Sequence, residues 1–374
     1  MLNPFILTPY ISKELFCDRI FEIKSMMNFI SNGVNITLIS PRRYGKTGLI
    51  YRTFDELKMS NSEFDTLYVD IYSSQSIEDF IRLLTEAVVR VLEKKSMVKN
   101  FFGKLKSVRP IISYDPITGI PQITLTWQSE QEKLMTLKEI FDFLDCQKHR
   151  IVLAIDEFQQ IREYENVNME ALLRTYIQPL KNVNFIFCGS KRHLMLEMFA
   201  DAKSPFYEST ATLFLDKIDR EIYADFIITQ FKKGKIQISD EAVEHILNWT
   251  RQHTFYTQFL CNRLFSSGKS KINLNEVLLT ENQILTEREP GFLELRGLLT
   301  KGQWKYLRAV AKEKELRQPS SSAFLTTYKI GSAASSQKTL KSLIEKELIL
   351  PVTTLDGTIY CIYNVFFFRW LEKH

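Results

Sequence analysis

One stretch constrains this chain more than any other: Arg150–Glu157, which reads Arg-Ile-Val-Leu-Ala-Ile-Asp-Glu. An unbroken aliphatic run of this length reads as a strand buried on both faces, as in a parallel sheet covered by helices. Two acids at the tip of such a strand serve no purpose in a core, because burying unpaired charge is expensive. A metal ion and a polarised water supply the reason. Asp156 is placed to hold Mg2+ through water, and Glu157 to orient and deprotonate an attacking water.

A complementary element lies upstream. Ile36–Ile39 is a short aliphatic and β-branched run, and Thr47–Leu57 has helical periodicity. Between them, Ser-Pro-Arg-Arg-Tyr-Gly-Lys-Thr follows the phosphate-loop pattern G-x-x-x-x-G-K-[ST], with Ser40 in place of the first glycine. Gly45 lets successive backbone N–H groups curl around phosphates. Lys46 offers a point charge to the β and γ phosphates, and Thr47 a hydroxyl to Mg2+. The helix that follows adds its positive N-terminal dipole. ATP and Mg2+ are thus the expected cofactors. The nucleotide-holding set is Ser40, Pro41, Arg42, Arg43, Tyr44, Gly45, Lys46, Thr47 and Gly48; Thr47 and Asp156 are the metal-side residues, and Glu157 is the base. The strand ending at Cys188 continues into Gly189-Ser190-Lys191. A polar side chain there would lie between the two motifs in space and reach the γ phosphate. Ser190 is the candidate and Lys191 the alternative; an ordinary turn leading into a helix at His193 is the plain reading.

At 374 residues the chain is expected to hold two or three domains. Hydrophobic residues make up 45% and charged residues 25%, which excludes a disordered chain. A net charge of +5 permits nucleic-acid contact without demanding it. The five cysteines are scattered with no C-x-x-C pair, so a disulfide framework or metal cluster is not expected. His245 and His253 read as structural. No apolar run approaches the roughly 20 residues that span a bilayer, and no basic segment precedes the short apolar N-terminus. A cytoplasmic protein without membrane contact is expected.

Further strands are expected at 64–72, 183–188 and 212–215, and helices at 77–92, 134–144 and 171–180. Residues 108–127 alternate on both sides of the Asp115–Gly119 turn and read as an inserted β-hairpin. From 218 onward strands give way to helices at 219–232, 239–250 and 254–266. Helices at 303–314, 320–328 and 335–347 then precede strands at 348–352 and 358–363, the element order of a winged helix. The expected division is an ATPase core at 1–217, a helical lid at 218–293 and a winged-helix domain at 294–374. In 335–347, Leu340, Leu343 and Ile344 form the apolar stripe, joined by Leu348; Ser336, Lys338, Lys341 and Glu345 are expected to face out. That surface suits DNA phosphates or a protein partner.

Together these residues resemble the archaeal-type ATPase family, within the signal-transduction ATPases of the AAA-like group. The resemblance rests on Phe16-Cys17-Asp18-Arg19 with Glu22, the Pro41–Thr47 loop, Ile155–Phe158, Cys188–Ser190, Ser204–Tyr207, Phe255–Gln258 and the aromatic ending Tyr363–Trp370. It implies an α/β P-loop NTPase with a parallel five-stranded core, a helical lid and a C-terminal winged helix. It also implies that Asp18 and Arg19 lie near the adenine and ribose; a plain salt bridge is the other reading. Where the family often carries an arginine after Ser-Pro-Phe-Tyr, this chain has Glu208-Ser209-Thr210. Arg192 and Arg251 are the substitutes. The expected function is an ATP-binding, ATP-hydrolysing molecular switch acting on a protein or DNA partner through the winged helix. The alternative is a nucleotide-binding scaffold or signalling protein with little turnover and no DNA binding.

Overall fold

The computed structural model describes residues 3–8, 10–60, 63–92, 95–114, 121–354 and 356–374. The chain divides into two units, Thr8–Lys217 and a second formed by Met1–Leu7 with Ile218–His374.

Strands of the first unit are β1 (Ile36–Ile39), β2 (Phe64–Asp70), β3 (Arg109–Tyr114), β4 (Pro121–Thr126), β5 (Arg150–Asp156), β6 (Val183–Gly189) and β7 (Ala211–Phe214). Its helices are α1 (Ile20–Ser31), α2 (Lys46–Ser60), α3 (Ile77–Val91), α4 (Lys95–Lys104), α5 (Glu130–Asp145), α6 (Met169–Ile177) and α7 (Arg192–Ala200). Five strands form one parallel sheet in the order β2-β5-β6-β1-β7. Both faces are covered. Leu38, Val152, Ala154 and Ile186 pack toward α1 and α2, while Leu67, Leu153, Ile155, Phe185 and Phe187 pack toward α3 and α5. That is why β5 and β6 are apolar without alternation. β3 and β4 pair antiparallel as a separate hairpin within the expected 108–127; its Asp115–Gly119 turn lies outside the described residues. Ser76 caps α3 and Ser129 caps α5 by accepting from the backbone N–H three residues on. Helix α4 was not expected. Its pattern is short and mixed, and the burial of Phe101 against Phe143 (ring centroids 4.8 Å apart) anchors it. Parallel strands all finish at one edge, so the ends of β1, β6 and β5 lie side by side there.

The second unit contains α8 (Arg220–Lys233), β8 (Gln237–Ile238), α9 (Asp240–Trp249), α10 (Thr254–Phe265), β9 (Lys271–Ile272) and α11 (Leu274–Gly297). Then follow α12 (Lys301–Glu313), α13 (Ser322–Tyr328), α14 (Ala333–Glu345), β10 (Ile349–Thr354), β11 (Gly357–Ile362) and α15 (Val365–Lys373). Residues 3–7 belong here: Phe5 is fully buried against Phe231, ring centroids 4.9 Å apart, and its carbonyl accepts from Asn262 Nδ2 at 2.7 Å. Helix α11 continues through Pro290 and across position 293. The winged-helix order is present: α12, α13 and α14, then antiparallel β10 and β11 with Thr354 opposite Gly357. Gly357 has φ +116°, a conformation that favours glycine. The aromatic ending is the packed helix α15, with Phe366 ring to ring on Tyr256 at 4.7 Å.

One expectation on α14 is overturned. Ser336 does not face out. It is fully buried, and its Oγ donates to the Pro319 carbonyl at 2.5 Å. Ser336 shares the buried face with Leu340 and Leu343 and its Oγ also meets Tyr306 OH of α12 at 3.3 Å, while Ala334, Gln337, Lys338, Lys341 and Glu345 are exposed.

Candidate nucleotide site

The loop between β1 and α2 carries residues 40–45, and α2 opens at Lys46. Ser40 is buried, and its N–H donates to the Gly189 carbonyl at 3.3 Å, which fixes the loop's start against the end of β6. Gly45 has φ +98° and Arg43 +65°, so the loop reverses twice through the left-handed region before the helix starts. The Gly45 carbonyl accepts from Leu49 N at 2.9 Å, tying the loop to the first turn of α2.

The side chains converge on two carboxylates. Lys46, 7% exposed, places its Nζ 3.2 Å from Glu157 Oε1 and 3.4 Å from Asp156 Oδ1. Thr47 Oγ1 donates to Asp156 Oδ2 at 3.1 Å, and Tyr68 OH donates to the same oxygen at 2.7 Å. Glu157 sits at φ +55°, which turns the chain sharply off β5; its own N–H donates to Asp156 Oδ1 at 2.9 Å. Ser190 Oγ donates to Glu157 Oε2 at 2.7 Å, Gln159 Nε2 donates to that oxygen at 2.5 Å, and Arg42 Nε reaches Ser190 Oγ at 3.3 Å. The sheet order explains the meeting: β6 lies between β1 and β5, so Ser190 stands between the phosphate loop and the acids. Lys191 instead begins α7, where its carbonyl accepts from Met195 N at 3.1 Å.

The charges sustain one another. Burial alone would lower the Lys46 pKa, but Asp156 and Glu157 outweigh it and raise the value. Burial would raise Glu157, yet Lys46 and the hydrogen bonds from Ser190 and Gln159 hold it below the usual carboxylate range. Glu157 is therefore an ionised acceptor, the state a general base needs. A hydroxyl and a carboxylate are hard oxygen donors and suit Mg2+, which takes one or two carboxylates and completes its shell with phosphate oxygens and water. No group of three or more His, Cys, Asp or Glu that could hold a metal occurs among the described residues.

Two groups here escaped the sequence reading. Tyr68 looked like any aromatic on a half-buried strand, and its phase with Thr66, on the α2 side of β2, was the only signal. Gln159 reaches Glu157 because Gly189 has no side chain: a Cβ there would stand 2.3 Å from Gln159 Oε1. That clearance accounts for the glycine before Ser190.

Other expected residues lie elsewhere. Arg19, buried, donates to Glu22 at 2.8 Å and to the Asp216 carbonyl at 2.5 Å, so this motif closes on itself as a salt bridge. Phe206 packs with Phe158, Phe187 and Phe199. Arg192 lies over the Phe214 ring at 4.8 Å. Arg251 lies over Phe368 at 4.7 Å and donates to the Lys314 carbonyl at 3.3 Å. His245 Nε2 stands 2.9 Å from Glu281 Oε1, a pair inside the helical unit. Among the described residues, no helix is long and apolar enough to cross a membrane.

Comparison with known proteins agrees with this geometry. Residues 16–251 match the family model of an ATPase domain predominantly from Archaea, and residues 290–373 that of a probable winged helix domain. No curated protein matches the chain. Among solved structures, the chain is similar to the Walker-type ATPase of Pyrococcus abyssi at 18% identity, covering 99% of each chain with a TM-score of 0.66. It is similar to the Aeropyrum pernix ORC2 protein in ADPNP–ADP complexes at 13% identity, over 100% of this chain and 97% of that one, TM-score 0.58. The Aeropyrum pernix ORC1 protein in complex with DNA follows at 12% identity, over 100% and 96%, TM-score 0.55. At these identities the likeness is one of fold: a P-loop NTPase with a C-terminal winged helix.

Proposed function

We propose that this chain, which belongs to the family of ATPase domains found predominantly in Archaea, is an ATP-hydrolysing switch that acts on a protein or DNA partner through its winged helix. One observation carries the reading: a buried lysine at the start of a helix held between the two acids at the end of a neighbouring strand system. An ion cluster of this kind is costly to bury for stability alone; a phosphate that takes Lys46 and a cation that takes Asp156 give it a use.

In this reading the backbone of residues 41–48 and Lys46 hold the phosphates of ATP. Thr47 and Asp156 hold Mg2+, which neutralises charge on the phosphate oxygens when bound. With Lys46 turned to phosphate, Glu157 loses its cation and keeps Ser190 and Gln159. Its carboxylate is then able to accept a proton from water, and Ser190, still on Glu157 and standing between the acids and the phosphate loop, is the proposed sensor of the γ phosphate. A lid at 218–293 and a winged-helix domain at 294–374 remain the proposed division of the second unit. Lys338 and Lys341 on the open face of α14 are the proposed partner contacts.

One observation favours the scaffold reading. Glu208-Ser209-Thr210 stands where a finger arginine would, and of the substitutes Arg192 is engaged with the Phe214 ring and Arg251 with the Phe368 ring and the Lys314 carbonyl. The test is ATP turnover by the full chain with and without duplex DNA. Turnover that rises with DNA supports a DNA-acting switch, and turnover indifferent to DNA moves the partner to protein. Tight ATP binding without turnover under either condition replaces the switch with the scaffold.

A further inference from the structure

Tyr68 lies on the edge strand β2 and has no place in the proposed chemistry, yet its hydroxyl donates to Asp156 Oδ2 at 2.7 Å. Its ring leans on Tyr51 of α2, centroids 5.1 Å apart. The ring also borders a cavity of about 430 Å³ lined by Phe54, Asp70, Leu83 and Arg90. A phenylalanine would make the same ring contacts. The hydroxyl is explained by the carboxylate it meets and by the Thr47 hydroxyl beside that carboxylate.

Asp156 has four neighbours: Thr47 and Tyr68 on Oδ2, the Glu157 N–H on Oδ1, and Lys46 3.4 Å from Oδ1. The proposed function, on which this inference rests, commits Lys46 to phosphate and the Thr47 oxygen to metal. Two donors then remain, one per carboxylate oxygen, and Tyr68 is the one that fixes Oδ2. It is also neutral, so it orients the carboxylate without cancelling the charge a cation needs.

We propose that Tyr68 is the positioning residue for Asp156: its hydroxyl holds the carboxylate in the direction that receives Mg2+ once Lys46 and Thr47 have turned to the nucleotide. Donors behind a metal's ligands set the ligands' direction, and losing one costs about 10–100-fold in metal affinity.

The experiment uses the full chain and a non-hydrolysable ATP analogue, with Mg2+ titrated into the protein–analogue complex by calorimetry. For Tyr68→Phe the Mg2+ Kd is expected to rise about 10-fold or more. Analogue affinity in EDTA and the melting temperature should stay close to wild type. Tyr51→Phe, which keeps its ring and has no hydroxyl on Asp156, should match wild type. Unchanged Mg2+ affinity in Tyr68→Phe, or an equal loss in both variants, overturns the proposal. If Tyr68→Phe does not fold, Tyr51→Leu replaces it by removing the ring that braces Tyr68. A weaker Mg2+ site then supports the proposal and an unchanged one refutes it. If wild type binds the analogue equally well in Mg2+ and EDTA, the metal reading of Thr47 and Asp156 fails first and Tyr68's role goes with it.

Discussion

Lys46→Met keeps the aliphatic stem and removes the charge, so it isolates what the cation does in the nucleotide-free protein. In the structure one ammonium serves two carboxylates at 3.2 and 3.4 Å, and all three side chains are at most 14% exposed. Breaking a buried ion set by removing one partner typically costs about 3–5 kcal/mol, because the remaining charges stay buried without compensation. Here two acids remain, and one of them relieves the repulsion by taking up a proton, so the lower end, about 3 kcal/mol, is expected at neutral pH. For a unit of this size that corresponds to a melting temperature lower by about 10 °C. The assay is thermal unfolding without nucleotide, followed by titration with ATP. Lys46→Met should melt lower and lose measurable ATP affinity. Adding Glu157→Gln removes one of the stranded charges and should restore part of the stability, a non-additivity of about 1–2 kcal/mol. Lys46→Met melting with wild type, or a double variant that is simply the sum of the singles, would refute the buried cluster of Lys46, Asp156 and Glu157.

The remaining predictions test the site and the winged helix. Glu157→Gln should bind ATP and hydrolyse it about 10²–10⁴-fold more slowly in single-turnover assays; equal rates would remove Glu157 as base. Because the folded-state pKa of Glu157 is depressed, its contribution to stability is present above the ordinary value of 4.5 and lost as pH falls below it. Because that of Lys46 is raised, its contribution is present below 10.5 and lost only above it. Melting temperatures of wild type should therefore fall more steeply below about pH 4.5 than those of Glu157→Gln, and parallel curves would contradict the shift. Ser336→Val buries an apolar group where a donor to the Pro319 carbonyl stood, and should lower stability by about 1–3 kcal/mol in chemical denaturation; a neutral result would return Ser336 to the surface. If ATP state is passed to the partner-binding face, hydrogen exchange at 335–347 should differ between ATP and ADP, and a difference confined to 40–47 and 156–157 would argue against coupling.

The parts of this fold that were legible in the sequence are those where one physical demand fixes the residue types. Strands β5 and β6 are covered on both faces, so an uninterrupted apolar run is the only economical solution. A loop that wraps phosphate needs Gly45 and then Lys46-Thr47. Helix α11 was not legible, because Pro290 reads as a breaker and its buried residues include Glu281 beside Val277, Ile284, Leu285 and Phe292. Ser336 failed for a different reason: the i, i+4, i+7 spacing puts it on the same face as Leu340 and Leu343, and a hydroxyl on an apolar stripe reads as surface until its buried acceptor, the Pro319 carbonyl, is seen. Tyr68 was hidden because its partner is distant in sequence, and only the parallel register, with Asp70 opposite Asp156, brings β2 to the site; Gln159 lies two residues from Glu157, but the space it occupies depends on Gly189 of another strand.

The same register has an electrostatic consequence. The buried set of Lys46, Asp156 and Glu157 carries one positive and two negative charges, with Asp70, itself raised by burial, at the rim. Taken alone, this excess of negative charge disfavours a polyphosphate and favours a cation. A triphosphate that draws Lys46 away makes the vacated acids more negative still. Under the proposed function the site therefore accepts nucleotide most readily when a divalent cation arrives with it, and the contact between Lys46 and Glu157 is given up at the same arrival.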